Sequence, residues 1–227
     1  MQAHERKIAL VLWLIDHHPE SELHEEPSAW ISPQFDSPDA YEDARNRWLN
    51  AVNLHPNDAR VLGNAAGALR YDSLQEQMDL LMHAQKLDPA HWTEPLARLY
   101  SSTLVGVSDS GNQPGNPGVA AQIRNDVQSS NDIALVGSVA RHVVELAAGA
   151  AVVHPSTWDL TALRIFATEL VTHAQSLDPQ SREWSDLMEG VKPLDEVKEL
   201  SAGSPPPAAQ KRLPPFQPSA SSELWPR

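Results

Sequence analysis

A short phrase that ends a helix occurs three times in this chain, at residues 51–56, 84–89 and 174–179. The three copies read AVNLHP, AQKLDP and AQSLDP. Each one closes an apolar helical pattern with a proline, which cannot continue a helix. The prolines lie at positions 56, 89 and 179, so they are 33 and then 90 residues apart. A period near 33 predicts stacked helical hairpins, in which each hairpin buries its apolar face only against its neighbours.

A second pair of similar segments supports this pattern. Residues 57–66 read NDARVLGNAA, and residues 131–140 read NDIALVGSVA. Both segments have the form of a capped first helix of a hairpin, with Asn and Asp before the apolar positions. The glycine in each segment, Gly63 or Gly137, predicts a close approach by a neighbouring helix.

Local signals place the helices between these segments. They predict a first helix over residues 3–18, a proline-rich connector over 19–38, and a helix that begins at Ser37-Pro38 and ends at Leu54. Further helices are expected to begin at the caps Asn57-Asp58 and Ser73. Three more are predicted over the following ranges: 92–104, 119–127 and 181–191.

The domain organisation follows from these helices and from composition. Residues 1–38 form an N-terminal helix and connector, and residues 39–192 form a helical repeat domain. Gly, Asn and Pro interrupt the helices at 105–118. About 16 extra residues in the later unit are expected between Ala147 and Trp158, or as longer helices. Residues 201–227 are rich in Pro, Ser and Ala, which predicts a disordered tail.

These positions resemble the tetratricopeptide repeat family over roughly residues 39–190. With Asp58 as position 1, the family's favoured positions 4, 8, 20, 24, 27 and 32 fall on Val61, Ala65, Gln77, Leu81, Ala84 and Pro89. Gln77 departs from the family's small residue, and two units carry insertions. The resemblance implies an all-α fold, a right-handed α-solenoid of helix-turn-helix hairpins.

The resemblance also implies a function. In that family the first helices of the hairpins line a concave face that binds a protein or a peptide. Asn64 stands where such proteins often hold a peptide backbone, and Ser138 is its counterpart in the later unit. Arg98 is the one basic residue on the comparable helix, and Tyr71, Trp92 and Tyr100 offer aromatic contacts. We therefore expect a non-catalytic scaffold with a protein or peptide partner and with neither cofactor nor metal.

Charge and composition narrow the partner class further. The chain of 227 residues has a net charge of −13, from 17 basic and 30 acidic residues, and it has no cysteine. This acidity disfavours nucleic acid, and no stretch approaches the length of a membrane span. The apolar run over residues 8–15 is interpreted as a first helix rather than a signal peptide. The compartment stays open, with the cytoplasm slightly favoured and export compatible with a signal removed earlier.

Two alternative functions remain open. The densest cluster of potential ligands, the residues Asp16, His17, His18, His24, Glu25 and Glu26, would suit a metal-dependent or hydrolytic enzyme on a helical body. A repeat domain that serves only for oligomerisation is the other alternative.

Overall fold

The protein is all-helical wherever its structure is described. A computed structural model describes residues 2–106, 117–153 and 160–191, and in these ranges the chain forms nine α-helices and two 3₁₀ turns without any β-strand. The predicted all-α class is confirmed. The helices are α1 (Gln2–His17), α2 (Pro38–Leu54), α3 (Ala59–Ala68), α4 (Leu74–Leu87), α5 (Pro89–Val105), α6 (Pro117–Ser129), α7 (Ile133–Val153), α8 (Leu160–Leu177) and α9 (Glu183–Val191). Most of the predicted loop at 105–118 and all of the tail at 201–227 lie outside the described residues.

The predicted helix starts are confirmed by their caps. The Ser37 side chain accepts a hydrogen bond from the Ala40 amide at 3.0 Å, with Pro38 at the first helical position. Asp58 accepts from the amides of Arg60 and Val61 at 3.0 and 3.2 Å. Ser73 caps α4 in the same way. These bonds satisfy backbone donors that have no partner within the helix.

The three proline phrases end their helices as predicted but lead into different structures. Pro56 follows α2 in a turn, and Pro179 follows α8 in a turn. Pro89 is instead the first residue of α5, because Asp88 is both the C-cap of α4 and the N-cap of α5. Helix α5 therefore begins three residues before the predicted start at Trp92. Proline suits this position, since a first helical residue needs no N–H partner.

The enlarged later unit is partly accommodated by a longer helix. Helix α7 runs for 21 residues, from Ile133 to Val153. The predicted extra segment continues over residues 154–159, which lie outside the described residues.

Helix α3 is buried on nearly every side. All six residues from Val61 to Ala66 are buried. Val61 and Ala65 pack into an apolar cluster with α1 and α2, whereas Leu62 and Ala66 pack into a larger cluster built from α4 to α9. This short helix therefore joins the two halves of the core.

Both glycines of the paired segments lie against a tryptophan ring. A Cβ atom at Gly63 would overlap three carbons of the Trp92 ring, and one at Gly137 would lie 2.6 Å from Cη2 of Trp184. Trp92 and Trp184 are each 4% exposed. The caps match too, because Asp132 accepts from the amides of Ala134 and Leu135 just as Asp58 does from its own helix. The predicted close approach at these glycines is confirmed.

In the described ranges, none of the helices combines the length and apolar character needed to cross a membrane.

We predict that Gly63→Ala lowers the free energy of unfolding by about 1–3 kcal/mol, because the new methyl must displace the buried Trp92 ring. Gly67→Ala in the same helix is the matched control, since a Cβ there meets nothing within 4 Å. The control should be neutral or stabilising by up to about 1 kcal/mol through helix propensity. Urea unfolding of both variants measures the difference. Equal stabilities for the two variants would contradict the close contact.

Candidate functional site

The segment between α1 and α2, residues 18–37, lies across α3 and is called the connector here. The side-chain amide of Asn64 donates from Nδ2 to the carbonyl oxygens of Pro19 at 2.9 Å and Ser21 at 3.1 Å. Asn64 is 2% exposed. Because both acceptors belong to the main chain, this contact recognises a backbone and does not depend on which side chains the segment carries.

The Asn64 amide uses only half of its hydrogen-bonding capacity. Its Oδ1 atom is buried and accepts no hydrogen bond from the described residues. The opposite orientation of the amide would set Oδ1 against two carbonyl oxygens, so the two observed bonds fix the orientation. Pro19 has no N–H and therefore cannot donate to Oδ1.

Two pairs of side chains flank the Asn64 contact. Arg60 of α3 donates to Glu22 of the connector at 2.6 Å, and His91 of α5 lies 3.1 Å from Glu25. The hydrogen bond from Arg60 is the main reason why the pKa of Glu22 is lowered. Exposed pairs of this kind add little to stability, so their role is to set the register of the connector on α3 and α5.

An aromatic anchor holds the middle of the connector. His24 is 4% exposed, and its ring meets the Trp48 ring edge-on at 4.7 Å between centroids. Its Nε2 lies 3.2 Å from the His18 carbonyl oxygen, which can only accept, so Nε2 carries the proton. The indole N–H of Trp30 donates to the His24 carbonyl at 3.0 Å. The guanidinium of Arg70 lies over the Trp30 ring, 3.2 Å from its centroid.

A second group, the α5–α7 polar cluster, consists of Glu94, Arg98, His142 and Glu145. Glu94 Oε1 lies 2.7 Å from His142 Nε2 and accepts from Arg98 Nε at 3.2 Å. The second ring nitrogen of His142 lies 3.4 Å from Glu145. Burial alone would raise the pKa of Glu94, but the hydrogen bonds from His142 and Arg98 lower it. Helices α5 and α7 share the largest interhelical contact in the described residues, and the Glu94–His142 hydrogen bond bridges it.

Three of the sequence-predicted site residues, Asn64, Arg98 and Ser138, lie on α3, α5 and α7 respectively. Asn64 is already engaged by the connector, as described. Arg98 belongs to the α5–α7 polar cluster, and its side chain is 71% exposed. Ser138 is half-buried on α7, one turn before His142. The Glu94–His142 pair thus brings the helices of Arg98 and Ser138 together, whereas Asn64 lies beneath the connector.

The three aromatic residues that were predicted to contact a partner differ in their exposure. Tyr100 is 2% exposed, and burial raises its pKa to about 12. Trp92 is buried against Gly63. These two rings therefore belong to the core and offer no surface to a ligand, which corrects the expectation for both. Tyr71 is half-buried, with its ring 6.0 Å from the Tyr41 ring in a T-shaped arrangement.

Sequence reasoning missed the residues that hold the connector. Arg60, His91, Trp48 and Arg70 contact segments far away in the chain, and the Glu22–Arg60 and Glu25–His91 pairs span 38 and 66 residues. Helical periodicity contains no information about such pairs. The available signal was the run of glutamates in the connector, opposite a few basic residues on α3 and α5.

The N-terminal His and Glu cluster separates into different contacts. His17 stacks on Trp13 at 4.6 Å, His24 is buried against Trp48, and Glu25 pairs with His91. In the part of the chain that the structure describes, no three His, Asp or Glu side chains converge as they would around a metal ion.

The burial of His24 predicts that connector docking depends on pH. Burial lowers the pKa of His24 below its ordinary value of 6.5, more than offsetting its hydrogen bonds to the His18 and Leu14 carbonyls and the charge of Glu20. Docking is therefore fully stable above pH 6.5. It weakens as pH falls from there toward the lowered pKa, because the released histidine takes up a proton more readily.

Hydrogen exchange of the amides of residues 20–31 between pH 7.5 and pH 5.5, corrected for intrinsic rates, measures this effect. We expect protection to fall on acidification in the wild type. His24→Gln keeps a donor for the His18 carbonyl but does not titrate, so its protection should change much less. The same loss in both proteins would assign the pH dependence to another group.

No protein-family description, curated protein or solved structure matches this chain.

Proposed function

We propose that this protein is a non-catalytic helical scaffold that binds a protein or peptide partner along the face formed by α3, α5 and α7. The order of helix contacts supports an α-solenoid of the tetratricopeptide type. Helix α3 packs on α4, α4 on α5, α5 on α7, α7 on α8, and α8 on α9. In this arrangement α3, α5 and α7 are the first helices of successive hairpins.

The observation that carries the proposal is the docked connector. The scaffold already holds a turn of its own chain through two hydrogen bonds from Asn64 to main-chain oxygens. Main-chain recognition with side-chain contacts at the flanks is a general way to bind peptides. A surface that binds one segment of its own chain in this manner has the chemistry to bind another.

The α5–α7 polar cluster extends this face beyond the connector. Arg98 has one nitrogen on Glu94 and a largely exposed guanidinium. A planar guanidinium can donate two parallel hydrogen bonds to a carboxylate or to main-chain oxygens of a partner. Ser138 adds a half-buried hydroxyl on the neighbouring helix. We assign Arg98 and Ser138 to partner binding.

We predict that a selection of displayed random peptides on the immobilised full chain enriches a related set, and that Arg98→Glu weakens their binding at least tenfold. Charge reversal at Arg98 removes the donor and adds repulsion toward acidic or carbonyl groups. Fluorescence anisotropy with the enriched peptides measures the affinities.

The matched control is Lys86→Glu, the same charge reversal at an exposed position in the last turn of α4. It should leave the affinities within about twofold, because the side chain lies on a second helix of a hairpin. If no peptide is enriched, or if the two reversals act equally, the proposal is wrong.

A further inference from the structure

We propose that the connector is a built-in pseudo-ligand, and that the surface beneath residues 19–26 is a binding site for an acidic peptide of a partner that adopts the same 3₁₀ turn. This inference rests on the proposed scaffold function and names the ligand class and the regulation of one part of its face. The site consists of Arg60 and Asn64 on α3 and His91 on α5.

The connector occupies this site as a ligand would. Its main chain meets Asn64, and its side chains Glu22 and Glu25 meet cationic or protonatable partners on two different helices. Glu22 to Glu25 form a short 3₁₀ turn, and of these four residues only His24 is buried. Glu22 and Glu25 are exposed, and the site residue Arg60 is only half-buried.

The Asn64 amide shows that the connector is an imperfect occupant. A buried acceptor without a donor destabilises the state that contains it. The connector presents Pro19 at this point, so Oδ1 receives no N–H from it. A partner peptide with any other residue at this point carries a main-chain N–H there, and we assign Oδ1 as its acceptor. Such a peptide would make one buried hydrogen bond more than the connector does.

The observed contacts define the chemistry of the partner peptide. It forms a 3₁₀ turn and carries two carboxylates three residues apart, as Glu22 and Glu25 do, because residues i and i+3 of such a turn lie on one side. One carboxylate pairs with Arg60 and the other with His91. The nearby carboxylate of Asp88 already acts on Arg60, so the site is not strongly basic overall, and it selects by register more than by bulk charge.

The two halves of the connector have different anchors, and one hydrogen bond joins them. Residues 30–36 are tied to α1, because Lys7 Nζ donates to the Trp30 carbonyl at 3.0 Å and also lies 3.8 Å from Asp36. Residues 19–25 are tied to α3 and α5 and, through His24, to Trp48 of α2. Displacement of residues 19–26 therefore breaks these contacts and the bond from the Trp30 indole to the His24 carbonyl, but not the contacts of Lys7 with Trp30 and Asp36.

The test uses a labelled decapeptide with the sequence of residues 18–27, in which alanine replaces Pro19. Binding to the full chain is measured by fluorescence anisotropy. In the wild type the tethered connector competes at an effective concentration of about millimolar, so the peptide should bind weakly. Glu22→Lys with Glu25→Lys weakens the connector, and this variant should bind the peptide at least tenfold more tightly. Addition of Arg60→Ala, which removes the partner of the peptide carboxylate without creating a new pair with position 22, should abolish most of that gain.

Two further measurements keep the outcome decisive. The chain has no cysteine, so a spin label on Leu23→Cys, at an exposed position, reports whether the connector has left. Glu22→Gln with Glu25→Gln repeats the experiment with a milder change if the lysine variant does not fold. The unsubstituted peptide, with proline, should bind several-fold more weakly than the alanine peptide.

The inference is overturned if the connector stays docked in the charge-reversed variant, or if it leaves and the peptide binds no more tightly. It is also overturned if Arg60→Ala has no effect on the gain. Peptides selected through Arg98 report separately on the scaffold function. Their binding would persist if only the connector site were wrong, and it would be absent if the scaffold function itself were wrong.

Discussion

The burial of one short helix on nearly every side is the constraint on which the rest of the structure depends. Residues 61–66 of α3 face four different neighbours. Val61 packs toward α1 and α2, Leu62 toward the larger cluster, Gly63 against the Trp92 ring, and Asn64 against the connector. A helix of 10 residues is marginal alone in water, so these contacts hold α3 in place. The position of the connector is consequently set by the same helix that joins the two parts of the core.

Local chemistry predicted the elements of this fold well. Caps at Ser37, Asp58 and Ser73 and the glycines at 63 and 137 act within a few residues of the sequence, and the structure confirms each of them. The sequence showed only the glycine of each glycine–tryptophan contact, because the tryptophan lies 29 or 47 residues later in the chain. The start of α5 was misplaced because a proline that ends one helix can also begin the next.

The candidate site was harder to predict for a physical reason. Asn64 was identified as a backbone-binding residue from its place in the repeat, but its bonding partners lie 43 and 45 residues earlier in the chain. Nothing in the local pattern of the connector specifies where its carbonyl groups point. The prediction for Tyr100 was wrong for a different reason. An aromatic residue that packs in the core and one that binds a ligand have the same sequence signature.

The balance of forces at the connector bears directly on the proposed exchange with a partner peptide. Its exposed side-chain pairs with Arg60 and His91 contribute little free energy, while the buried bonds from Asn64 contribute about 0.5–1.5 kcal/mol each. The unsatisfied Oδ1 atom of Asn64 offsets part of that gain. The edge-on contact of His24 with Trp48 buries apolar surface, and this burial favours the neutral imidazole. These terms are individually modest, so a peptide that reproduces them and also satisfies Oδ1 would bind in place of the connector.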